Sequence, residues 1–374
     1  MKLLISGGHL TPALAFIEHV QKVQSDIEFT FVGRIYSREK TQQKAKEKEE
    51  IEKRGIPFTA FQSGKLGQES FLLLPVSILK MCLAFFTALA LFLKEKPQVY
   101  LSFGSYLSIP LALAAWVLRI PIVVHEQTRT VGIANALVSR FATAVAVSYP
   151  ESKKQLSHSN VVLTGNPIRE TILSTTESKP AWLTTKSSDP LLLVIGGSQG
   201  SEIINTTVVQ SLPQLTKKWI VIHQCGAKTK LRNYKKELEK ARKSLSLKNQ
   251  KRYFIHEWLT ETELAWIYTH VDCAVSRAGA NTVQELSVRH VPALYIPLPF
   301  SHHNEQYLNA KALADTGQAM LLMQKDATPA QLVDRVYALS KNQKKVRQQL
   351  KIHQNNLTTG SQKLLAVVQS IYTA

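Results

Sequence analysis

The sequence predicts an α/β protein with two Rossmann-like domains, each built on a parallel sheet. The 374 residues are 44% apolar, enough for two hydrophobic cores. Each half opens with a strand, a glycine-rich turn and a helix. Each half later has a strand, a turn with serine and glycine, a helix, a proline and a strand. This duplicated order predicts a cleft between the domains, at the carboxyl ends of both sets of strands.

The first half begins with a strand at residues 2–5, a Ser-Gly-Gly-His turn at residues 6–9 and a helix at residues 11–23. His9 at the opening of this helix can take a proton from an attacking hydroxyl if its imidazole is neutral. The alternative is a histidine that only hydrogen-bonds a neighbouring loop.

An apolar segment at residues 71–97 follows a charged run at residues 38–54 that is typical of a solvated helix or loop. The apolar segment approaches the length of a membrane span, but Pro75 and Lys80 interrupt it. It also lies between two predicted strands of one domain, so a span is rejected. The sequence leaves open an interfacial helix on anionic lipid and a fully buried core helix.

The motif VYLSFGSYLSIPLALAAWVLRIPIVVHE at residues 99–126 predicts strand, turn, helix and strand, and it ends in a His-Glu-Gln sequence at residues 125–127. These polar side chains can serve a site or can simply order a loop. The segment at residues 165–190 carries prolines, serines and threonines without strong periodicity, which indicates the join between the halves.

The second half opens with a strand at residues 191–195, the turn GGSQG and a helix at residues 201–215. Backbone N–H groups of such a turn and the Ser198 hydroxyl can cradle a diphosphate, although the motif alone is weak. It lacks the spacing of a dinucleotide site and the ending of a P-loop, which argues against a dehydrogenase and a nucleoside triphosphatase.

The motif SRAGANTVQE at residues 276–285 lies between an apolar strand at residues 271–275 and a helix at residues 280–288, with another strand at residues 291–296. The first N–H groups of the helix and its dipole can bind a phosphate. Glu285 can accept hydrogen bonds from a sugar hydroxyl. Alternatively, the glycine only permits a tight turn and Glu285 is a solvated helix residue.

The amino-acid composition limits the classes of binding partner that the chain can have. Lysines and arginines number 46 and acids 27, a net charge of +19 that indicates anionic partners. No nucleic-acid-binding motif is visible, and we expect no nucleic-acid partner. Scattered Cys82, Cys225 and Cys273 are expected to be buried free thiols, and adjacent His302 and His303 lack metal-ligand spacing, so no metal is expected.

Six motifs in order resemble the MurG family, the peptidoglycan N-acetylglucosaminyltransferases of glycosyltransferase family 28. They are SGGHLTPALA, SFGSYLSIPLALAAW with IPIVVHEQ, TGNPIRE, GGSQGSEIIN, SRAGANTVQELS and HHNEQYLNA. The resemblance covers nearly the whole chain. It implies the GT-B fold, with two Rossmann-like domains facing a cleft.

The resemblance also implies that the two domains bind different substrates. Residues 1–165 would form an acceptor-binding and membrane-associating domain, and residues 166–345 a domain that binds UDP-N-acetylglucosamine. Residues 346–374 would be helices, the last packing back on the first domain. The segment 71–96 would contact the anionic membrane, and the enzyme would be peripheral on the cytoplasmic face. No cofactor is implied, and no protein partner is predicted.

The resemblance implies roles for the residues of this chain that occupy the family's motif positions. His9 would be the general base, and His125, Glu126 and Asn135 would lie near the polyprenyl-pyrophosphoryl-muramyl-peptide acceptor. Glu285 would bind the ribose, Gln306 the sugar, Ser198 the phosphates, and Leu259 would lie beside the uracil. The other donor-binding residues would be Ser6, Gly7, Gly8, Thr128, Arg169, Ala280, Asn281, Thr282, Val283 and Gln284.

The chain departs from the family at three places. The first turn is SGGH where the family usually has the longer GGTGGH, which affects the placement of Ser6. Thr128 replaces a usual asparagine, and a hydroxyl supplies only part of the hydrogen bonding of an amide. Glu305 stands where glutamine is common.

The reaction implied is an inverting transfer of N-acetylglucosamine to the C4 hydroxyl of the lipid-linked muramyl sugar. Three alternatives stay open: a glycolipid glycosyltransferase, a UDP-sugar 2-epimerase, and a non-catalytic membrane-docked scaffold that binds a nucleotide sugar. The apolar segment at residues 71–97 argues against the epimerase, which needs no lipid acceptor.

Overall fold

The chain divides into two compact units, Met1–Arg169 with Asn356–Ala374 and Glu170–Asn355. In this computed structural model the described residues are 1–34, 36–38, 43–44, 46–64, 74–174, 178–184, 189–197, 199–228, 232–352 and 358–373. Each unit is an α/β domain with its own parallel sheet.

Unit 1 alternates strands and helices from the start of the chain. Its elements are β1 (Lys2–Ser6), α1 (Leu10–Val23), β2 (Glu28–Gly33), β3 (Tyr36–Arg38), β4 (Gln43–Lys44), α2 (Lys46–Glu52), β5 (Phe58–Ala60), α3 (Leu74–Glu95), β6 (Val99–Ser102), α4 (Ser108–Val117), β7 (Ile122–Glu126), α5 (Ile133–Val138), β8 (Ala144–Val147), α6 (Pro150–Lys153) and β9 (Val161–Leu163).

The sheet of unit 1 has seven strands in the order β5-β2-β1-β6-β7-β8-β9, and all of its pairs are parallel. The chain therefore builds outward from β1 in one direction and from β6 in the other. The carboxyl ends of β1 and β6 flank this switch point, which is where open α/β sheets bind ligands.

Unit 2 has the same plan. Its elements are α7 (Glu170–Leu173), β10 (Leu191–Ile195), α8 (Glu202–Lys218), β11 (Ile220–Gln224), α9 (Tyr234–Lys243), α10 (Leu247–Gln250), β12 (Tyr253–His256), α11 (Glu261–His270), β13 (Cys273–Ser276), α12 (Ala280–Val288), β14 (Ala293–Tyr295), α13 (Glu305–Asp315), β15 (Met320–Leu321), α14 (Pro329–Lys341) and α15 (Gln343–Ile352). A last helix, α16 (Gly360–Tyr372), belongs to unit 1.

The sheet of unit 2 has six strands in the order β12-β11-β10-β13-β14-β15, again all parallel. Its switch point lies between β10 and β13. The two glycine-bearing turns that the sequence singles out in this half follow these two strands.

The two faces of the unit 1 sheet pack against different helices, because alternate residues of a strand point to opposite faces. On one face, Leu3 and Ile5 share a core with Phe16 of α1 and with Leu364 and Val368 of α16. On the other face, Leu4 and Tyr100 share a core with α3 and α4. The final helix therefore completes the core of unit 1.

Helix α3 buries only one side. Ala84, Ala88 and Phe92 are buried against the sheet and α4. On the opposite side an apolar stripe is exposed, and its members are Leu79, Leu83, Phe86 and Leu93, 59% to 65% accessible. A fully buried core helix, one of the two alternatives for this segment, is therefore wrong for the described residues; residues 71–73 lie outside them.

Cys82 corrects the expectation of three buried thiols. Cys225 and Cys273 are buried, but Cys82 is exposed because it lies on the side of α3 that does not pack. None of the helices in the described residues is long and apolar enough to cross a membrane.

Candidate active site

The first turn of unit 1 is held by close contacts at its glycines. Ser6 is buried at the end of β1, and its hydroxyl hydrogen-bonds the hydroxyl of Tyr100 at 2.7 Å. A Cβ atom on Gly7 would lie 2.4 Å from the ring of Phe31. A side chain at position 7 would therefore require the Phe31 ring to move. The Ser6 hydroxyl is therefore engaged in a hydrogen bond between β1 and β6.

Gly8 brings this turn against the turn that follows β6. A Cβ atom on Gly8 would lie 2.4 Å from Cβ of Ser105 and 2.8 Å from the carbonyl carbon of Gly104. The two turns at the switch point of unit 1 are therefore in backbone contact. Only glycine permits this approach.

His9 is the N-cap of α1, exposed and without a side-chain capping hydrogen bond. Although part of His9 is exposed, protein atoms lie densely around it, and the resulting desolvation lowers its pKa below the ordinary value of 6.5. The nearby Glu126 raises this pKa, and the Arg34 guanidinium lowers it. The net direction favours a neutral imidazole, the form that can accept a proton at neutral pH.

Glu126 is the hydrogen-bonding centre of the loop after β7. Its carboxylate is 2% accessible and accepts bonds from the Thr128 N–H and hydroxyl at 2.9 and 2.7 Å, the Gly132 N–H at 2.9 Å and the Asn135 amide at 2.9 Å. The Thr128 hydroxyl has one proton and two local acceptors, Glu126 and the Thr130 carbonyl. A ligand could therefore use the Thr128 oxygen only as an acceptor.

His125 lies beside Glu126 and is fully enclosed. Its Nε2–H donates to the Gly165 carbonyl at 3.2 Å, and burial lowers the pKa of His125 to about 4. In the described part of the chain, His125 Nδ1 and Asn135 Oδ1 are buried without a hydrogen-bond partner. The neutral Nδ1 and the amide oxygen are both acceptors, so each can accept a hydrogen bond from an enclosed water molecule.

The N-terminus of α12 in unit 2 is an open helix end at which an anion could bind. Its N-cap is Gly279, with no side-chain cap and no acidic residue in the first turn. A Cβ on Gly279 would meet nothing within 4 Å, so the space before the helix is open. Of the next residues, Asn281 and Thr282 are half-buried, whereas Ala280, Val283 and Gln284 are buried.

The N-terminus of α8 is less open than that of α12. Its N-cap Ser201 already accepts the N–H of Ile204, and its first turn carries Glu202, which pairs with Arg232 at 2.5 Å. An acid at a helix N-terminus repels an anion, while unpaired N–H groups attract one. The α12 terminus is therefore better suited to a phosphate. Ser198, in the turn before α8, lies outside the described residues.

Glu285 is buried on α12, at 6% accessibility, and accepts a hydrogen bond from the Tyr268 hydroxyl at 3.3 Å. The alternative of a solvated helix residue is therefore wrong. Tyr268 lies on α11, and sequence reasoning missed it because no local pattern indicates a contact between two helices. Asn309 was also missed as a support: its amide donates to the Ala278 carbonyl, in the turn before α12, at 3.2 Å.

The remaining predicted site residues make backbone contacts or lie at the boundary of a unit. Leu259 is buried after β12 and its N–H donates to the Gln224 side chain at 3.1 Å. The Gln306 side chain accepts the Leu298 N–H at 3.0 Å. Arg169 is half-buried and ends the first segment of unit 1. Within the described ranges, no cluster of histidine, cysteine and acidic residues could hold a metal ion.

Comparisons with known proteins match both units. Residues 6–147 match the glycosyltransferase family 28 N-terminal domain, and residues 191–366 match the glycosyltransferase family 28 C-terminal domain.

Two relatives carry the same enzyme name. Over 374 residues, 99% of this chain and 97% of the relative, the chain is 32% identical to UDP-N-acetylglucosamine--N-acetylmuramyl-(pentapeptide) pyrophosphoryl-undecaprenol N-acetylglucosamine transferase 2 of Bacillus cereus. It is 35% identical to the corresponding transferase of Clostridium kluyveri over 336 residues, 89% of this chain and 88% of the relative.

Solved structures share the fold. MurG of Acinetobacter baumannii superposes with a TM-score of 0.72 at 25% identity, covering 99% of each chain. A putative UDP-N-acetylglucosamine 2-epimerase of Listeria monocytogenes reaches a TM-score of 0.69 at 13% identity, covering 100% of this chain and 96% of that one. The second likeness concerns the fold alone.

The charges around His9 predict the effect of one substitution on its titration. Arg34→Gln removes a positive charge that disfavours the imidazolium, so the pKa of His9 is expected to rise. NMR titration of the His9 ring protons measures it. Arg54→Gln makes the same charge change at a residue paired with Glu18 and is the control. A fall in the pKa of His9, or equal shifts in both variants, would show that the charge of Arg34 does not lower the pKa of His9.

Proposed function

The chain belongs to glycosyltransferase family 28, and we propose that it transfers N-acetylglucosamine from UDP-N-acetylglucosamine to the C4 hydroxyl of a lipid-linked N-acetylmuramyl-peptide. The observation that carries this proposal is the 32% identity to a transferase of that name over 99% of this chain. The matches to both domains of the family support it. The product belongs to peptidoglycan synthesis.

In the proposed chemistry, the acceptor O4 attacks C1 of the donor sugar and C1 inverts. The bond between C1 and the diphosphate oxygen breaks, and UDP leaves with the electron pair. Neutral His9 takes the proton from O4. The exposed imidazole and its lowered pKa support this role.

The donor is proposed to bind unit 2 through α12. Negative charge grows on the diphosphate as the bond to C1 breaks, and the open N-terminus of α12 can stabilise it with oriented N–H groups. Glu285 is proposed to accept hydrogen bonds from the ribose, with Tyr268 holding the carboxylate in place. Residues 280–284, Leu259, Gln306 and Arg169 are proposed to complete the donor site, with Ser198.

Unit 1 is proposed to supply the acceptor side. Ser6, Gly7 and Gly8 would approach the donor sugar through their backbone, because the Ser6 hydroxyl is bonded to Tyr100. His125, Glu126 and Asn135 would lie near the acceptor. Thr128 would contact the donor through its oxygen.

The apolar stripe of α3 is proposed to rest on the cytoplasmic surface of the membrane. Its four side chains lie on one helical face, and Lys80, Lys94 and Lys96 are exposed on the same segment. Apolar side chains can enter the headgroup region while lysines contact anionic lipids. The arrangement fits an enzyme whose acceptor is anchored in lipid.

A transfer assay tests the function and the base together. Purified protein with UDP-N-acetylglucosamine and a lipid-linked muramyl-peptide is expected to form the disaccharide and UDP. His9→Ala is expected to lower kcat by about 10²-fold or more while UDP binding stays within about twofold. For the wild type, kcat/KM is expected to fall at acid pH with an apparent pKa below 6.5, since protonated His9 cannot act as a base.

His19→Ala, further along α1, is the control for the loss of a histidine and is expected to keep its turnover. Epimerised donor or binding without turnover would overturn the proposed function in favour of the epimerase or the scaffold. Near-full activity of His9→Ala would overturn only the assignment of the base.

Glu285→Gln tests the ribose contact. Replacing the carboxylate by an amide removes a charged acceptor, so the Kd for UDP is expected to rise roughly tenfold or more. The same variant is expected to discriminate less between UDP and its 2′,3′-dideoxy analogue, as isothermal titration calorimetry can measure. Asp315→Asn removes an exposed carboxylate of unit 2 and is the control. Unchanged affinity for UDP would return Glu285 to a purely structural role.

Substitution in the apolar stripe tests the membrane contact. The double variant Leu83→Glu with Phe86→Glu is expected to lose most co-sedimentation with vesicles containing anionic phospholipid, because it places two charges where apolar groups would enter lipid. Turnover of a short-chain, water-soluble acceptor is expected to stay unchanged. Leu247→Glu alters an even more exposed apolar residue, in unit 2, and is the control. Undiminished vesicle binding by the double variant would rule out the stripe as the contact.

A further inference from the structure

An apolar turn projects from unit 2 after β14. Leu298, Pro299 and Phe300 are exposed in succession, and Phe300 is 93% accessible, more than any other large apolar side chain of the described residues. An aromatic ring that is left in water gains favourable free energy when a ligand covers it. The turn is therefore a candidate contact for a ligand.

Gln306 closes this turn from both ends. Its Oε1 accepts the Leu298 N–H at 3.0 Å, and its own N–H donates to the Ser301 hydroxyl at 3.2 Å. The Ser301 N–H donates to the Leu298 carbonyl at 3.3 Å, and Pro299 fixes one backbone dihedral angle within the turn. Phe300 is therefore presented by a hydrogen-bonded turn, so little backbone entropy is lost when a ligand covers its ring.

The start of the turn is tied to the open end of α12. Arg277 lies two residues before Gly279, the N-cap of that helix. Its Nη1 donates to the carbonyls of Ile296 and Pro297 at 3.0 and 3.1 Å. Phe300 is three residues beyond Pro297, a distance of at most about 11 Å along an extended chain. A group attached to a phosphate at the N-terminus of α12 is thus within the neighbourhood of the Phe300 ring.

The charge around the turn argues against lipid as its ligand. Residues 290–310 contain no lysine or arginine, and they include one acidic residue, Glu305. An anionic membrane surface attracts lysines and arginines, which the α3 segment has and this turn lacks. An uncharged group with some apolar surface fits the turn better.

We propose that Phe300 packs against the N-acetylglucosamine ring of the donor and is a binding residue for that sugar. The inference rests on the proposed function, because it takes the ligand at α12 to be a nucleotide sugar. The C–H groups on one face of the ring and the acetamido methyl group form apolar surface that an aromatic side chain can cover. Gln306, which is proposed to contact the same sugar, holds the turn in place.

The test compares a ligand that carries the sugar with one that lacks it. Isothermal titration calorimetry measures Kd for UDP-N-acetylglucosamine and for UDP. Phe300→Ala removes the ring, so its Kd for UDP-N-acetylglucosamine is expected to rise about tenfold while its Kd for UDP stays within about twofold. Phe300→Tyr keeps the aromatic face and is expected to bind both ligands within about twofold of the wild type. Because Phe300 is exposed, neither variant is expected to change Tm.

Leu247→Ala shortens another exposed apolar side chain of unit 2 and is the control; it is expected to leave both Kd values unchanged. Unchanged affinity of Phe300→Ala for UDP-N-acetylglucosamine would overturn the inference, and loss of vesicle binding by that variant would then assign the turn to lipid. Parallel weakening of UDP and UDP-N-acetylglucosamine would also overturn it, since UDP has no sugar for Phe300 to cover. Failure of the wild type to bind UDP-N-acetylglucosamine would instead overturn the proposed function, so the two failures are distinguishable.

Discussion

In each unit, a glycine turn that carries candidate site residues is in direct backbone contact with a neighbouring turn. Gly8 lies against the Gly104–Ser105 turn, and Gly200 lies against Cys225 and Gly226. A methyl group at either glycine would overlap backbone or Cβ atoms. Because the turns follow parallel strands, each is anchored in the sheet and in its neighbour at once. The N–H groups at these turns are thus positioned mainly by the main chain, which varies less than rotatable side chains.

Buried polar side chains support these turns in two different ways. In unit 1 the buried Glu126 side chain accepts four hydrogen bonds, three from the loop after β7 and one from Asn135 of α5. In unit 2 the side chains of Tyr253, His223 and Asn205 are uncharged and are linked by hydrogen bonds that end on the Cys225 carbonyl. Removing one member of either arrangement destabilises the fold, because its former partner becomes a buried polar group without a hydrogen bond.

The sequence predicts the features that depend on local order. Strand, glycine turn and helix follow one another at β1, β10 and β13 as the motifs indicate, because turn residues and apolar periodicity act over short distances. The contact of Tyr268 with Glu285 and the exposure of Cys82 depend on how helices pack, and no local pattern encodes them. For α3, apolar composition predicts a helix but not which side stays exposed, since both sides are apolar.

Helix α16 has a consequence for how the protein is made. Leu364 and Val368 lie in the same core as Leu3, Ile5 and Phe16, although more than 340 residues separate them along the chain. During synthesis, unit 1 emerges first from the ribosome but lacks this helix until all of unit 2 has been translated. Unit 2 can complete its own core earlier. The unit that is synthesised first is therefore completed last, because the apolar surface beside α1 has no α16 to cover it until the end of the chain is made.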